Sequence, residues 1–67
     1  MNEDFIQPPS VAEMTGLSVA ALAQLRFHGT GPRFYKPTAR TVLYKRSEVL
    51  AWIEASARMR TGSEAHA

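Results

Sequence analysis

The chain of 67 residues contains no cysteine, and its two histidines, His28 and His66, lie far apart. These absences exclude a disulfide framework and a thiolate or paired-histidine metal site, and they are typical of a cytoplasmic protein. No apolar run approaches the roughly 20 residues that a membrane span needs. The acidic residues that follow Met1 do not resemble a signal peptide. We therefore expect a cytoplasmic protein without a membrane partner.

The groups that an enzyme needs are also missing. The sequence offers no nucleophile–base pair, no paired carboxylates and no glycine-rich loop that cradles a phosphate. A chain this short forms one small domain with one core, and its 45% of apolar residues exclude compositional disorder. We expect no catalytic activity, no cofactor and no small-molecule substrate.

What the sequence does contain is a strongly polarised distribution of charge. The stretch from Arg26 to Arg46, here called the basic stretch, holds six basic residues and no acidic one, whereas the rest sums to −4. Such a pattern is typical of a surface that meets a polyanion, and nucleic acid is the first candidate because neutralised phosphates release counterions. A solvated basic loop region is the alternative, and charge alone favours neither.

Two helices joined by a glycine turn are predicted for the first half. The first helix starts between Gln7 and Ser10, where both a proline pair and a capping box offer a beginning, and it ends at Gly16. The second is better defined, since Ser18 is a good N-cap and residues 19–28 contain no proline or glycine. The apolar positions expected to face the core are Val11, Met14, Leu17, Leu22 and Leu25.

A β-hairpin and a third helix are predicted for the second half. Short aromatic or β-branched runs at 34–36 and 42–44 flank a turn at 37–40. Ser47 is expected to cap a third helix that fades near Arg58, with Glu48 favourably placed at the positive end of that helix. One face of that helix is formed by Val49, Trp52, Ile53 and Ser56, with Leu50 beside it, and Trp52 is expected in the core.

The spacing within the first two helices is typical of a helix-turn-helix unit. Ala12 lies four residues before Gly16, and Leu17, Leu22 and Leu25 follow the glycine at one, six and nine residues. The small residue lets the helices cross closely, the glycine permits the sharp turn, and the leucines hold the second helix across the first. Many helical hairpins share this pattern, but the basic hairpin that follows favours a DNA-reading unit.

The stretch from Ile6 to Ile53 resembles the small winged helix-turn-helix proteins of the excisionase (recombination directionality factor) and MerR-like group. The residues that carry the resemblance are Ala12-Glu13-Met14-Thr15-Gly16-Leu17-Ser18, Leu22, Leu25, Gly29-Thr30-Gly31-Pro32, Tyr44-Lys45-Arg46-Ser47-Glu48-Val49 and Ala51-Trp52-Ile53. The resemblance implies a mainly α fold with a β-hairpin, a winged helix-turn-helix of three helices and a two-stranded wing. We expect this domain over 1–58 and a flexible tail over 59–67.

The resemblance also implies a function. In this family the second helix enters the major groove of double-stranded DNA, and the hairpin lies near the adjacent backbone or minor groove. Many members promote excision of prophages or mobile elements by bending attachment-site DNA beside a tyrosine integrase, which implies a bacterial or phage-encoded protein. Because one small domain has a small footprint, we expect cooperative head-to-tail self-association on DNA. A transcriptional regulator and a protein-interaction module such as an antirepressor are the alternatives.

Three positions depart from the family pattern. Ala20 stands where a basic residue is common, Leu25 stands where an aromatic residue is common, and 37–40 contains no glycine where the wing turn often has two. The first departure weakens base readout by the second helix, and the last changes the shape of the wing tip.

Candidate DNA-contacting residues follow from helix geometry and charge. With its leucines facing inward, the second helix turns Gln24 outward, where it is suited to adenine or phosphate. Phe27 is expected to pack under the hairpin, with an apolar edge presented to DNA or a protein neighbour as the alternative. Lys36 and Arg40 bracket the hairpin tip and suit phosphate or minor-groove contacts. The complete set is Ser18, Ala20, Ala23, Gln24, Arg26, Phe27, His28, Arg33, Lys36, Thr38, Arg40 and Lys45.

Some of these residues have a structural role as the alternative. Ser18 is expected to act first as a helix cap, and Ala20 and Ala23 to act more through small size than through contact with thymine methyl groups. Arg26 either lies along phosphates or favours the negative end of its helix. His28 is more typical of a helix-end residue than of a ligand.

Overall fold

In the computed structural model, which describes residues 5–59, three helices and a three-stranded antiparallel sheet make up a mainly helical α+β fold. The elements in chain order are β1 (Phe5–Ile6), α1 (Pro8–Thr15), α2 (Val19–His28), β2 (Tyr35–Thr38), β3 (Thr41–Lys45) and α3 (Arg46–Glu54). Apart from Met59, the predicted tail lies outside the described residues. Within residues 5–59, no helix combines the length and the apolar character that a bilayer crossing requires.

The start of α1 is the proline pair, one of the two predicted beginnings. The carbonyl of Gln7 accepts the first two N–H groups of the helix at 3.0 and 3.2 Å. Pro8 and Pro9 occupy the first helical positions, where the missing N–H groups have no intrahelical partner in any case. The predicted end is confirmed, since Gly16 has a φ of +79° and donates to the carbonyl of Ala12 at 2.9 Å.

The prediction for α2 is confirmed at both ends. The hydroxyl of Ser18 accepts a hydrogen bond from the N–H of Ala21 at 2.9 Å. Gly29, with a φ of +72°, closes the helix by donating to the carbonyl of Arg26 at 3.2 Å. Residues 16–18 therefore form the complete connection between α1 and α2.

The predicted hairpin is present, but its turn is shorter than predicted. β2 and β3 pair antiparallel, and Pro37 and Thr38 belong to β2, so that only residues 39–40 form the turn. A proline is tolerated in β2 because this strand is at the edge of the sheet and its register shifts between Tyr35 and Thr38.

The sequence did not predict β1. This strand pairs with the other edge of β3, placing Phe5 opposite Lys45 and Ile6 opposite Tyr44. A two-residue strand is too short to show an alternating pattern, so no local signal in the sequence indicates it. The expected two-stranded wing is therefore part of a three-stranded sheet with the order β1–β3–β2.

The predicted start of α3 is wrong by two positions. Lys45 is the N-cap without a side-chain capping bond, and Ser47 lies inside the first helical turn. The reason is that β3 continues directly into the helix, so its last residue is also the cap. Glu48 lies in the first turn, the predicted position, where a negative charge is favourable.

The end of α3 also falls earlier than predicted, at Glu54 instead of near Arg58. The hydroxyl of Ser56 donates to the carbonyl of Ile53 at 2.6 Å, and the backbone N–H of Ser56 donates to the same carbonyl at 3.0 Å. Such local bonds compete with continuation of the helix.

The core lies where the three helices meet β3. The fully buried apolar side chains are Val11, Leu22, Tyr44 and Val49, one from each of these elements. The partly buried side chains packed against them are Ile6, Ala12, Met14, Leu17, Leu25, Phe34, Val42 and Ile53. The predicted core is confirmed in outline, but Trp52 is half-buried instead of buried.

Candidate nucleic-acid interface

The exposed face of α2 consists of Ala20, Ala23, Gln24 and Phe27. Their spacing of three, four and seven residues places them on one side of the helix. All four are exposed, whereas the residues of the opposite side are buried or half-buried. As predicted, Gln24 is the long polar side chain of this face, and the face carries no charged group.

The expectation that Phe27 packs under the hairpin is wrong. Its side chain is 84% exposed, and it meets the ring of His28 edge-on with centroids 5.3 Å apart. Arg26, the preceding residue, takes the position that faces the hairpin instead. Phe27 therefore stands out from the helix as a large apolar group.

Arg26 is tied to the interior of the molecule. Its Nη1 donates a hydrogen bond to the hydroxyl of Tyr44 at 2.8 Å, and its guanidinium lies 5.8 Å from the ring centroid of Phe34. The sequence offered two roles for Arg26, a phosphate contact and a helix-end charge, and neither included this bond. Because Tyr44 lies 18 residues away in β3, no local signal could have indicated it.

The hairpin tip, residues 36–41, carries two cations, Lys36 and Arg40, which differ from Arg26 in having no bond to the interior of residues 5–59. The side chains of Lys36 and Arg40 are exposed, and neither makes a hydrogen bond or ion pair with any residue in 5–59. Thr38 holds the turn beneath them. Its hydroxyl donates to the hydroxyl of Thr41 at 3.0 Å and accepts from the backbone N–H of Arg40 at 3.3 Å.

The remaining cations of the basic stretch contact other described residues. Arg33, whose side chain is 72% exposed, lies 3.8 Å from a carboxylate oxygen of Glu48. Lys45 places its ammonium 5.6 Å from the ring centroid of Phe5 and 5.9 Å from that of Tyr35. Arg46 lies against the sulfur of Met14 at 3.9 Å.

Glu48 joins β2 to α3. Its carboxylate accepts a hydrogen bond from the hydroxyl of Tyr35 at 2.9 Å, besides its approach to Arg33. The sequence placed Glu48 at the positive end of a helix but gave no sign of this second role. The base of the hairpin is thereby held to α3.

A crevice lies between Arg26 of α2 and one side of the hairpin tip. It has a volume of about 370 Å³ and is lined by Gln7, Pro8, Arg26, Arg40, Thr41 and Val42. The crevice thus joins the start of α1, the inner edge of α2 and the tip of the hairpin. The sequence predicted α2 and the hairpin, but it could not show that Arg26 and Arg40 line the same crevice.

Other candidates occupy simpler positions. Ser18 is the N-cap of α2, as expected, and its side chain is exposed. His28 is the last residue of α2 and is also exposed. Within residues 5–59, no group of three or more His, Cys, Asp or Glu side chains is placed to hold a metal ion.

Comparison with protein-family models, with curated proteins and with solved structures gave no significant match to this chain.

Proposed function

We propose that the protein is a sequence-preferring binder of double-stranded DNA that acts as a winged helix-turn-helix. The observation that carries the proposal is the difference between the cations of the basic stretch. Lys36 and Arg40 have charged groups that no residue in 5–59 engages, whereas the other four have contacts within that range. Unengaged cations at the exposed tip of a hairpin are suited to phosphate oxygens.

The dimensions of α2 support its assignment as the recognition helix. The ten residues of α2 make a rod about 15 Å long. An α-helix with its side chains is about 10–12 Å across, which fits the major groove with its width of about 12 Å. The exposed face of α2 is uncharged, and two of its residues are alanine, so the helix backbone can approach the base edges closely. Gln24 has the donor and acceptor pair that matches adenine.

The hairpin supplies the phosphate contacts in this proposal. Lys36 and Arg40 contact the backbone or enter the minor groove next to α2. Arg33 adds a contact from the loop before β2, because an exposed ion pair such as that with Glu48 is weak and a phosphate oxygen competes with it. Lys45 contributes long-range charge while its ammonium stays over the two rings.

The biological role that we propose is that of an excisionase-like recombination directionality factor. A single small domain with few base-reading groups needs several protomers on adjacent sites for useful affinity. Head-to-tail contacts extend such an array, and the array bends attachment-site DNA for a tyrosine integrase. Excision measured in cells with and without the gene tests this role. Unchanged excision, with chromatin pull-down reads at promoters, would assign a transcriptional regulator instead.

The DNA-binding proposal is tested by a salt titration of affinity for a short mixed-sequence duplex, followed by fluorescence anisotropy. The logarithm of the binding constant is expected to fall linearly with the logarithm of salt concentration, with a slope of about −0.9 per phosphate neutralised. Arg40→Ala and Lys36→Ala are each expected to weaken binding to all sequences and to reduce the slope by about one.

Arg46→Ala is the matched control, because it removes the same charge from the first turn of α3, outside α2 and the hairpin tip. Its slope is expected to equal that of the wild type. Absence of binding at low salt would refute the proposal, and an unchanged slope in Arg40→Ala would remove the hairpin tip from the interface.

A further inference from the structure

The aromatic side chain of Phe27 is 84% exposed at the surface of α2. Its ring lies outside the core cluster and contacts the ring of the exposed His28. Among the residues of the three helices and the sheet, the other exposed large apolar side chains are Val19, Phe5 and Leu50, at 46%, 51% and 45%. Phe27 is therefore the most exposed large apolar group of these elements, and it lies on the face that the proposed function turns toward DNA.

The neighbours of Phe27 on α2 are also apolar. Ala20 lies seven residues earlier and so within about 20° of Phe27 around the helix axis. Ala23 lies one turn away on the same side. The stripe from Ala20 to Phe27 is about 10 Å long, which corresponds to about three base-pair steps.

The base edges of the major groove carry one methyl group that suits such a stripe. This is the C5-methyl of thymine, and small or aromatic apolar side chains are its usual contacts. Gln24, on the same face, is suited to the adenine of an A·T pair. Both parts of the exposed face of α2 are therefore complementary to A·T pairs.

We propose that Phe27, supported by Ala20 and Ala23, is a specificity-determining residue that reads the C5-methyl of thymine in the major groove. This inference rests on the proposed function, since it requires α2 to lie in that groove. The class of ligand is thereby narrowed to duplexes with A·T pairs opposite the stripe.

A protein neighbour is a weaker explanation of the exposed ring. A stable interface needs about 800 Å² from each partner, whereas one aromatic side chain supplies about 150–250 Å². The remainder of this face consists of two alanines and a glutamine. Arg40, which lines a crevice together with Arg26 of α2, adds a charge that favours a polyanion over an apolar protein surface.

The test compares two duplexes that differ only in the methyl group, one of alternating adenine and thymine and one of alternating adenine and deoxyuridine. The wild type is expected to bind the thymine duplex more tightly by about fourfold for each methyl group that it buries. Phe27→Ala is expected to lower this ratio toward one, because it weakens binding to the thymine duplex more than binding to the deoxyuridine duplex.

Leu50→Ala is the matched control, because it also removes an exposed apolar side chain but from α3. It is expected to keep the wild-type ratio. Circular dichroism and urea unfolding of Phe27→Ala are expected to match the wild type, since the deleted ring is mostly exposed.

Equal affinity of the wild type for both duplexes would overturn the reading of thymine and leave the DNA-binding proposal in place. Loss of binding to every duplex by the wild type would overturn both. An unchanged ratio in Phe27→Ala, with reduced self-association in sedimentation, would assign the ring to a protein contact and overturn the inference.

Discussion

The hydroxyl of Tyr44 links the core to the candidate interface. Its ring is fully buried, yet its oxygen accepts a hydrogen bond from Arg26 at 2.8 Å. A hydrogen bond to a charged donor stabilises more than one between neutral groups. The orientation of α2 relative to β3 therefore depends in part on this single bond.

Removing that hydroxyl is expected to destabilise the protein. Tyr44→Phe keeps the ring but leaves Arg26 without its acceptor, and we expect a loss of about 1.5 kcal/mol in the free energy of unfolding. Urea unfolding measures the change. Tyr35→Phe is the control, because its hydroxyl bonds Glu48, whose side chain is 30% exposed and remains hydrated. If the two variants lose equal stability, the bond between Arg26 and Tyr44 contributes no more to the free energy of unfolding than the bond between Tyr35 and Glu48.

Gln24 is the residue at which sequence preference is best tested. Gln24→Ala is expected to lose about 1–3 kcal/mol of discrimination at one A·T position while keeping the wild-type salt slope, because no charge is removed. Selection of duplexes from a random pool, with wild type and variant side by side, measures this preference. Ser10→Ala, which removes an exposed polar side chain from α1, should retain the wild-type preference. A variant that selects the same sites as the wild type would exclude Gln24 from base readout.

At the scale of elements, two loops set the position of α2. Residues 16–18 join it to α1, and the hydroxyl of Thr15 fixes this turn by accepting from the N–H of Leu17 at 3.2 Å. After α2, Gly31 approaches so closely that a Cβ there would lie 2.9 Å from the Cβ of Leu25. The loop before α2 therefore needs glycine for its left-handed backbone conformation at Gly16. The loop after α2 needs glycine because a side chain at Gly31 would clash with Leu25.

Substitution of Gly16 tests the first of these loops. Gly16→Ala is expected to cost about 1 kcal/mol, because its φ of +79° is unfavourable for a residue with a Cβ. No atom lies within 4 Å of the Cβ position, so the cost is one of backbone conformation alone. Gly16→Asn is expected to recover part of the loss, since asparagine tolerates this region better. Urea unfolding of both variants measures these changes. Equal stability of Gly16→Ala and the wild type would contradict the claim that the backbone at Gly16 favours glycine.

At the scale of the whole molecule, a small core supports a surface that is spread over two elements. Four fully buried apolar side chains from α1, α2, β3 and α3 hold the described part of the chain together. Arg26, on the inner edge of α2, lines one crevice together with Arg40 and Thr41 of the hairpin tip. A domain of this size covers little DNA by itself, which is the reason for proposing an array of protomers.

The array is tested with a duplex long enough for several protomers. We expect a gel-shift ladder in which the later complexes form more readily than the first, and a circular-permutation assay is expected to show bending. Arg40→Ala should weaken every step of the ladder and keep its order. A single retarded complex containing one dimer would contradict head-to-tail association.

The sequence by itself determined those features whose causes are local. The bounds of α2 were predictable because Ser18 and Gly29 act on their immediate neighbours, as the bonds at 2.9 and 3.2 Å show. The concentration of positive charge between Arg26 and Arg46, and the outward direction of Gln24, also follow from sequence and helical periodicity.

Tertiary structure alone decided which charges are engaged and which groups are exposed. Arg26 is bonded to Tyr44, Phe5 pairs with Lys45, and Phe27 is exposed instead of packed, because each outcome depends on residues distant in sequence. Pro37 entered β2, and α3 began at Arg46, because strand pairing and a continuous β3–α3 junction outweighed the local turn and cap signals. Local patterns fix the elements, whereas long-range contacts fix their neighbours and so decide which side chains remain available to a ligand.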